Sequence, residues 1–201
     1  MSTAPLTTEQ KIHRAAIDVF TRKGYDGAKT RDIAKAAGIT VATLHYYHRT
    51  KDQLFHLVAK ESMEEFSAIF YDVFKTGRPL KEKIYAFVEE YTKLFRLKPQ
   101  MATFCLMESE RNIEMFREIV DFRESTRVLE PQLQALAAAG EIRPISTPNF
   151  ISALVGMTIY PFITKTSMYY AHNLDDEGYE KVLEEQRRMI PEMIIGYLWT
   201  K

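Results

Sequence analysis

TRDIAKAAGITVATLHYYHRTKDQLF, residues 30–55, is the stretch whose pattern decides the fold. Ile33, Ala34 and Ala37 recur at helical spacing, Thr30 is placed to cap that short helix, and Gly38 stands where a left-handed residue ends one. Thr40 then offers its hydroxyl to a second short helix, from about Val41 to Tyr47. Lys51 or Asp52 opens a longer one that carries Leu54, Leu57, Val58, Phe66, Ile69, Phe70, Val73 and Phe74 on one side. Upstream, Ile12, Ala15, Ala16, Val19 and Phe20 form an apolar stripe, with Thr7 or Thr8 as cap and Gly24 as the expected end. Three short helices with a glycine turn between the second and third meet the needs of a helix-turn-helix. The turn holds the third helix across the second and lets it project into a major groove.

Downstream the punctuation continues in the same idiom. Pro79 suits the first turn of a helix to about Leu97, and Pro99 breaks the chain before a short helix from Met101 to about Glu110. A long helix is expected from Ile113 to Ala139, stopped by Gly140, with Pro131 as a kink or local break. Ser146-Thr147-Pro148 starts a helix expected to reach about His172, and Asp175 or Asp176 caps the last one. Strand signals are scarce, so the chain reads as all-α, with about nine helices.

Composition excludes several classes. The 201 residues carry 46% hydrophobic side chains, enough for a proper core, so disorder is not expected as the main state. The most apolar run, ALVGMTIYPFI at 153–163, is far shorter than the roughly 20 residues a membrane helix needs. No secretory signal is legible in MSTAPLTTEQ, and the single Cys105 cannot close an intramolecular disulfide, so a cytoplasmic protein without a membrane partner is expected. There is no glycine-rich phosphate loop, HExxH motif or Gly-x-Ser-x-Gly elbow, and Cys105 has no histidine near it in sequence. An enzyme is therefore not expected, nor a cofactor. His45 and His48, three apart, lack the further ligands a metal site needs. The net charge of zero conceals an asymmetry: residues 1–51 hold nine Lys and Arg against four Asp and Glu. A polyanion would meet that basic end, and double-stranded DNA is the expected partner.

The chemistry of the third helix suits such a partner. Leu44 falls on its inner side with Ile39 before it, leaving Val41, Ala42, Thr43, His45 and Tyr46 outward. Small side chains at 41–43 let the helix enter deeply, Val41 and the Thr43 methyl can pack on thymine methyls, and His45 and Tyr46 can donate to base edges or phosphates. Thr30, Thr40 and Tyr47 offer hydroxyls, the amides beside the two threonines offer oriented donors, and Lys51 is placed to hold another phosphate. Arg31, Lys29 and Arg49 add charge rather than sequence preference.

The run FTRKGYDGAKTRDIAKAAGITVATLHYYHRTKDQLF, residues 20–55, resembles the N-terminal signature of the TetR family of bacterial transcriptional regulators. The matching pieces are the aromatic-Gly-Tyr segment, the Ile-Ala-x-x-Ala-Gly turn, the Thr-Leu-x-x-Tyr helix and the Thr-Lys-Asp-x-Leu start of the next helix. His48 departs from that pattern, where a buried phenylalanine is usual, and His45 departs where a tyrosine is usual. The resemblance implies a helix-turn-helix domain over 1–51 and a helical ligand-binding and dimerisation domain over 52–201. It also implies a homodimer and a small-molecule effector, with two third helices on a pseudo-palindrome.

EPQLQALAAAGEIRPISTPNFISAL, residues 130–154, is similar to the join between the seventh and eighth helices of many such regulators. By that resemblance the last two helices, about 148–172 and 176–199, pair with their copies in a four-helix bundle. Val155, Ile159, Phe162, Ile163, Met189, Met193, Ile194 and Tyr197 are the dimer candidates; burial in their own domain is the competing expectation. A cavity is expected among the middle helices, with Phe66, Phe70, Phe87, Tyr91, Phe104, Cys105, Met107, Met157 and Tyr160 as candidate lining. Such aromatic and methionine stripes are also what an ordinary core looks like. Repression, relieved when an apolar or aromatic effector shifts the fourth helix, is the expected mechanism.

Overall fold

The computed structural model describes residues 5–111, 113–119 and 122–199, and every regular element among them is helical. The elements are α1 (Thr8–Gly27), α2 (Thr30–Ala37), α3 (Val41–Tyr47), α4 (Lys51–Lys75), α5 (Leu80–Leu97), α6 (Pro99–Arg111), α7 (Ile113–Ile119), α8 (Phe122–Ala138), α9 (Thr147–Ile163), α10 (Lys165–His172) and α11 (Asp176–Trp199). They fall into two compact units. The first joins Met1–Glu65 to Thr103–Ile119, and the second joins Phe66–Ala102 to Val120–Lys201.

In the first unit, α1 opens on a reciprocal cap: the Gln10 amide donates to Thr7 Oγ1 at 3.2 Å and the Thr7 amide donates to Gln10 Oε1 at 3.0 Å. Its stripe of Ile12, Ala15, Ala16, Val19 and Phe20 is buried as expected. Gly24 does not end the helix; it sits at φ +67° as a kink within α1, which resumes as far as Gly27. α2 differs at its start as well. The residue in extended conformation is Lys29, whose carbonyl accepts from Asp32 and Ile33, so Thr30 is the first helical residue rather than the cap. Its end follows the sequence closely: Gly38 at φ +68° lets the Ile39 amide reach the Ala34 carbonyl and its own amide reach Lys35. Thr40 caps α3 through the Thr43 amide at 3.0 Å, and Thr50 caps α4 through the Gln53 amide at 3.1 Å.

The second unit is built on an aromatic ladder. Tyr91 stands 4.4 Å from Phe87 and 5.2 Å from Phe66 between ring centroids, and Phe74, Phe150, Phe95 and Phe162 extend the contacts through α4, α5 and α9. α5 packs on α9 and α11, and α8 and α10 lie against α9. Lys83, 4% exposed, ties the end of α4 to α8: its ammonium donates to the Phe74 carbonyl at 3.0 Å and to Gln132 Oε1 at 2.9 Å. Burial pushes its pKa down from the ordinary lysine value.

Of the expected helix 113–139, residues 113–119 and 122–138 are helical, and residues 120 and 121 lie outside the described set. Pro131 does not break α8, which runs through it. The expected helix 148–172 breaks at Thr164, whose hydroxyl donates to the Tyr160 carbonyl at 2.7 Å. At the last helix the Asp175 carboxylate accepts from the Gly178 amide at 2.8 Å, so Asp175 supplies the cap that the sequence left between two aspartates.

Candidate nucleic-acid interface

α3 has seven residues and one buried side chain, Leu44, which is 1% exposed. That anchor leaves the rest of the helix to present outward. Tyr46 is 84% exposed and meets Tyr47 edge-on at 5.4 Å between ring centroids, while Val41, Ala42, His45 and Tyr47 are exposed and Thr43 is half-buried. The Thr43 hydroxyl is 2.9 Å from that of Thr40, so the two face each other at the start of the helix. His45 Nδ1 lies 3.2 Å from the Arg49 carbonyl, which steadies the ring against the following turn. Arg31 is exposed and Thr30 half-buried on α2.

Nine of the ten residues the sequence singles out for DNA thus lie on α2, on α3 or at the cap of α3. The tenth, Lys51, is half-buried, and its ammonium donates to the Tyr25 carbonyl at 2.8 Å and the Ala28 carbonyl at 3.2 Å. Tyr25 escaped the sequence reading as a functional residue, although the Gly24-Tyr25 pair marked the segment; its contacts with α4 are long-range, and no local pattern announces them. An ion pair not foreseen either, Lys23 Nζ to Asp32 Oδ2 at 2.8 Å, ties α1 to α2 and holds the Asp32 carboxyl below the usual carboxylate range.

His48, in the position where the resemblance implies phenylalanine, is half-buried beyond the end of α3. Burial lowers its pKa, and the charges of Glu9 and Glu61 partly offset that. His13 Nδ1 pairs with Glu61 Oε2 at 2.8 Å. Among the described residues no group of three or more His, Cys, Asp and Glu could hold a metal ion.

The candidate effector residues do not share one environment. Phe70, Phe87 and Tyr91 are buried in the second unit, and Phe66 beside them is half-buried. Phe104, Cys105 and Met107 belong to the first unit, where Cys105 donates to the Ser62 carbonyl at 3.6 Å and burial pushes its thiol up to about 12. Met157 and Tyr160 are 39% and 59% exposed on α9. The dimer candidates divide too: Ile159, Phe162 and Ile194 are buried in their own chain, Val155 and Ile163 are half-buried, and Met189, Met193 and Tyr197 are exposed. A surface groove of about 380 Å³ between α5 and α11 is lined by Tyr85, Ala86, Glu89, Arg187, Arg188 and Glu192. Arg187 spans it to Glu89 at 2.6 Å.

Residues 12–58, which include all of α2 and α3, match the family model described as bacterial regulatory proteins, tetR family. The similarity to this family thus lies in the N-terminal segment that carries α2 and α3. The chain is also similar to the Bacillus subtilis protein named "Probable HTH-type transcriptional regulator YttP", 24% identical over 166 residues, 79% of this chain and 78% of the relative. The fatty acid metabolism regulator protein of Bacillus subtilis is 24% identical over 135 residues, 66% of this chain and 70% of the relative. The same fold is seen in the crystal structure of the transcriptional regulator FadR from Bacillus subtilis in complex with stearoyl-CoA. That structure has a TM-score of 0.62 and 19% identity, and the match covers 93% of this chain and 97% of that one. No helix among the described residues is long and apolar enough to cross a membrane.

Proposed function

We propose that this protein is a cytoplasmic homodimeric repressor that binds a pseudo-palindromic operator and is released from it by a small apolar or aromatic effector. The observation that carries the reading is the single-anchor geometry of α3: Leu44 buried, and Val41, Ala42, His45, Tyr46 and Tyr47 free to meet a major groove. Thr30, Arg31, Thr40 and Thr43 are the remaining contact set, as phosphate donors and, for the Thr43 methyl, a thymine contact.

Pairing is supported by exposed apolar side chains on the last helices. Met157, Tyr160, Met189, Met193 and Tyr197 are exposed on α9 and α11 and offer apolar surface to a partner face, and Gly156 and Gly196 have open space where a Cβ would be. A second copy of α9 and α11 covers them in this reading. The effector site is placed along the Phe66, Phe70, Phe87 and Tyr91 ladder, with an acyl chain as the first chemistry to try because one relative of the same fold holds stearoyl-CoA. α4 contributes residues to both compact units, so a ligand-driven shift of it changes the spacing of the two reading helices.

The test is selection of bound duplexes from a random pool by the purified protein, followed by titration of the enriched duplex with stearoyl-CoA, free coenzyme A or aromatic amphiphiles. Enrichment of a two-fold-related motif supports the reading. Failure to enrich any sequence at physiological salt overturns it, and enrichment without release by any apolar compound removes the effector class.

A further inference from the structure

The first turn of α4 grips the end of α1 by a set of contacts that a simple phosphate anchor would not need. Lys51 Nζ donates to the carbonyls of Tyr25 and Ala28 and sits 4.1 Å above the centroid of the Tyr25 ring. An ammonium has three N–H donors, so two of them are committed inside the protein. The Tyr25 hydroxyl in turn donates to Asp52 Oδ1 at 3.2 Å, and the same ring meets Phe55 edge-on at 4.9 Å. Residues 51, 52 and 55 of α4 thus hold Tyr25 by its carbonyl, its hydroxyl and its ring.

Electrostatics favour this placement. A cation at the start of its own helix opposes the helix dipole, whereas the carbonyl end of another helix attracts it. α1 has no basic residue in its last turn, and Lys51 delivers a charge to those last carbonyls. Ala28, 2% exposed, lies two residues before α2 begins, and α2 sets α3 through the Gly38 turn. A path of direct contacts therefore runs from the first turn of α4, through residues 25–28, to the reading helix.

We propose that Lys51 is a positioning residue for DNA binding: it fixes the α1–α2 turn, and so the pose of α3, through Tyr25 and Ala28 rather than by neutralising a phosphate. This rests on the DNA-binding reading, but one arm of its test does not. In the full-length protein without DNA, Lys51→Met is expected to speed amide hydrogen exchange at residues 26–30 by about tenfold or more, as a local opening does. On the duplex that the wild type enriches, Lys51→Met is expected to lower affinity by about tenfold while leaving the slope of log affinity against log salt unchanged; a lost phosphate contact would reduce that slope by about 0.9. Tyr25→Phe, which alters no charge, is expected to cost about threefold in affinity because it breaks the bond to Asp52. It also serves as the gentle variant should Lys51→Met fold poorly.

Unchanged exchange at 26–30, or a shallower salt slope with Tyr25→Phe at wild-type affinity, overturns the proposal. If the wild type enriches no duplex, the DNA-binding reading fails while the exchange arm still decides whether the clasp holds the turn.

Discussion

The two compact units use apolar residues in opposite ways. Around α3 a few buried side chains support a surface whose value lies in what is left uncovered: Leu44 is 1% exposed and Tyr46, two positions on, is 84% exposed. In the second unit the aromatic residues are spent on one another, and the ladder from Phe66 to Phe162 is continuous. The contrast teaches that exposure singles out the proposed contact residues in the first unit, whereas in the second an aromatic stripe fits core, pocket or interface until it is perturbed.

The largest effect separates core from pocket. Phe87 is fully buried among Phe70, Phe74 and Tyr91, and Phe87→Ala is expected to cost about 3–5 kcal/mol of stability in urea unfolding. A loss under about 1 kcal/mol would mean that the ring borders space rather than packing, and would sharpen the effector assignment. Next comes the pair on α3. Leu44→Ala is expected to destabilise by about 2–5 kcal/mol, whereas Tyr46→Ala should stay within about 0.5 kcal/mol of wild type and still lose about tenfold in DNA affinity. If the two variants behaved alike in unfolding, the single-anchor description of α3 would be wrong.

Met193→Glu probes the exposed face of α11. A carboxylate there leaves the monomer fold intact and is expected to weaken self-association by about tenfold or more, read by sedimentation as a concentration-dependent shift toward monomer. Unaltered association would move the pairing surface elsewhere.

The smallest effect concerns pH. Because burial holds the His48 pKa below its ordinary value near 6.5, the unfolded chain takes up the proton first as pH falls. Stability that His48 contributes above that value is therefore lost on acidification through 6.5 toward the folded pKa. Glu9 and Glu61 moderate the loss. Unfolding midpoints of wild type and His48→Phe between pH 5 and 8 isolate the term: the difference is expected to grow as pH falls, and parallel curves would remove it.

These contrasts also explain what was legible in the chain of letters. Caps and glycine turns act over three to five residues, so Thr7, Gly38, Thr40 and the α3 face could be read directly. Thr30 was misplaced by one position because Lys29 takes the extended conformation, and Gly24 turned out to bend α1 rather than end it. The grip of α4 on Tyr25 spans 26 residues and could not be read locally. In the second unit, periodicity identified Ile159, Phe162 and Ile194 as apolar-face residues but could not say whose apolar surface covers them. Met157 and Tyr160, assigned to a cavity by composition, are on the outside of α9.

The central claim is that two copies of α3 read the two halves of one operator in fixed register, and operator spacing tests it most directly. Dimeric helix-turn-helix proteins require half-sites about 10–10.5 base pairs apart, or a multiple of that. Inserting about five base pairs at the centre of the enriched duplex turns one half-site to the opposite face, and inserting about ten restores its face. The account predicts that the half-turn insertion weakens binding by far more than any single side-chain change on α3. Equal affinity for the parent and half-turn duplexes would contradict it.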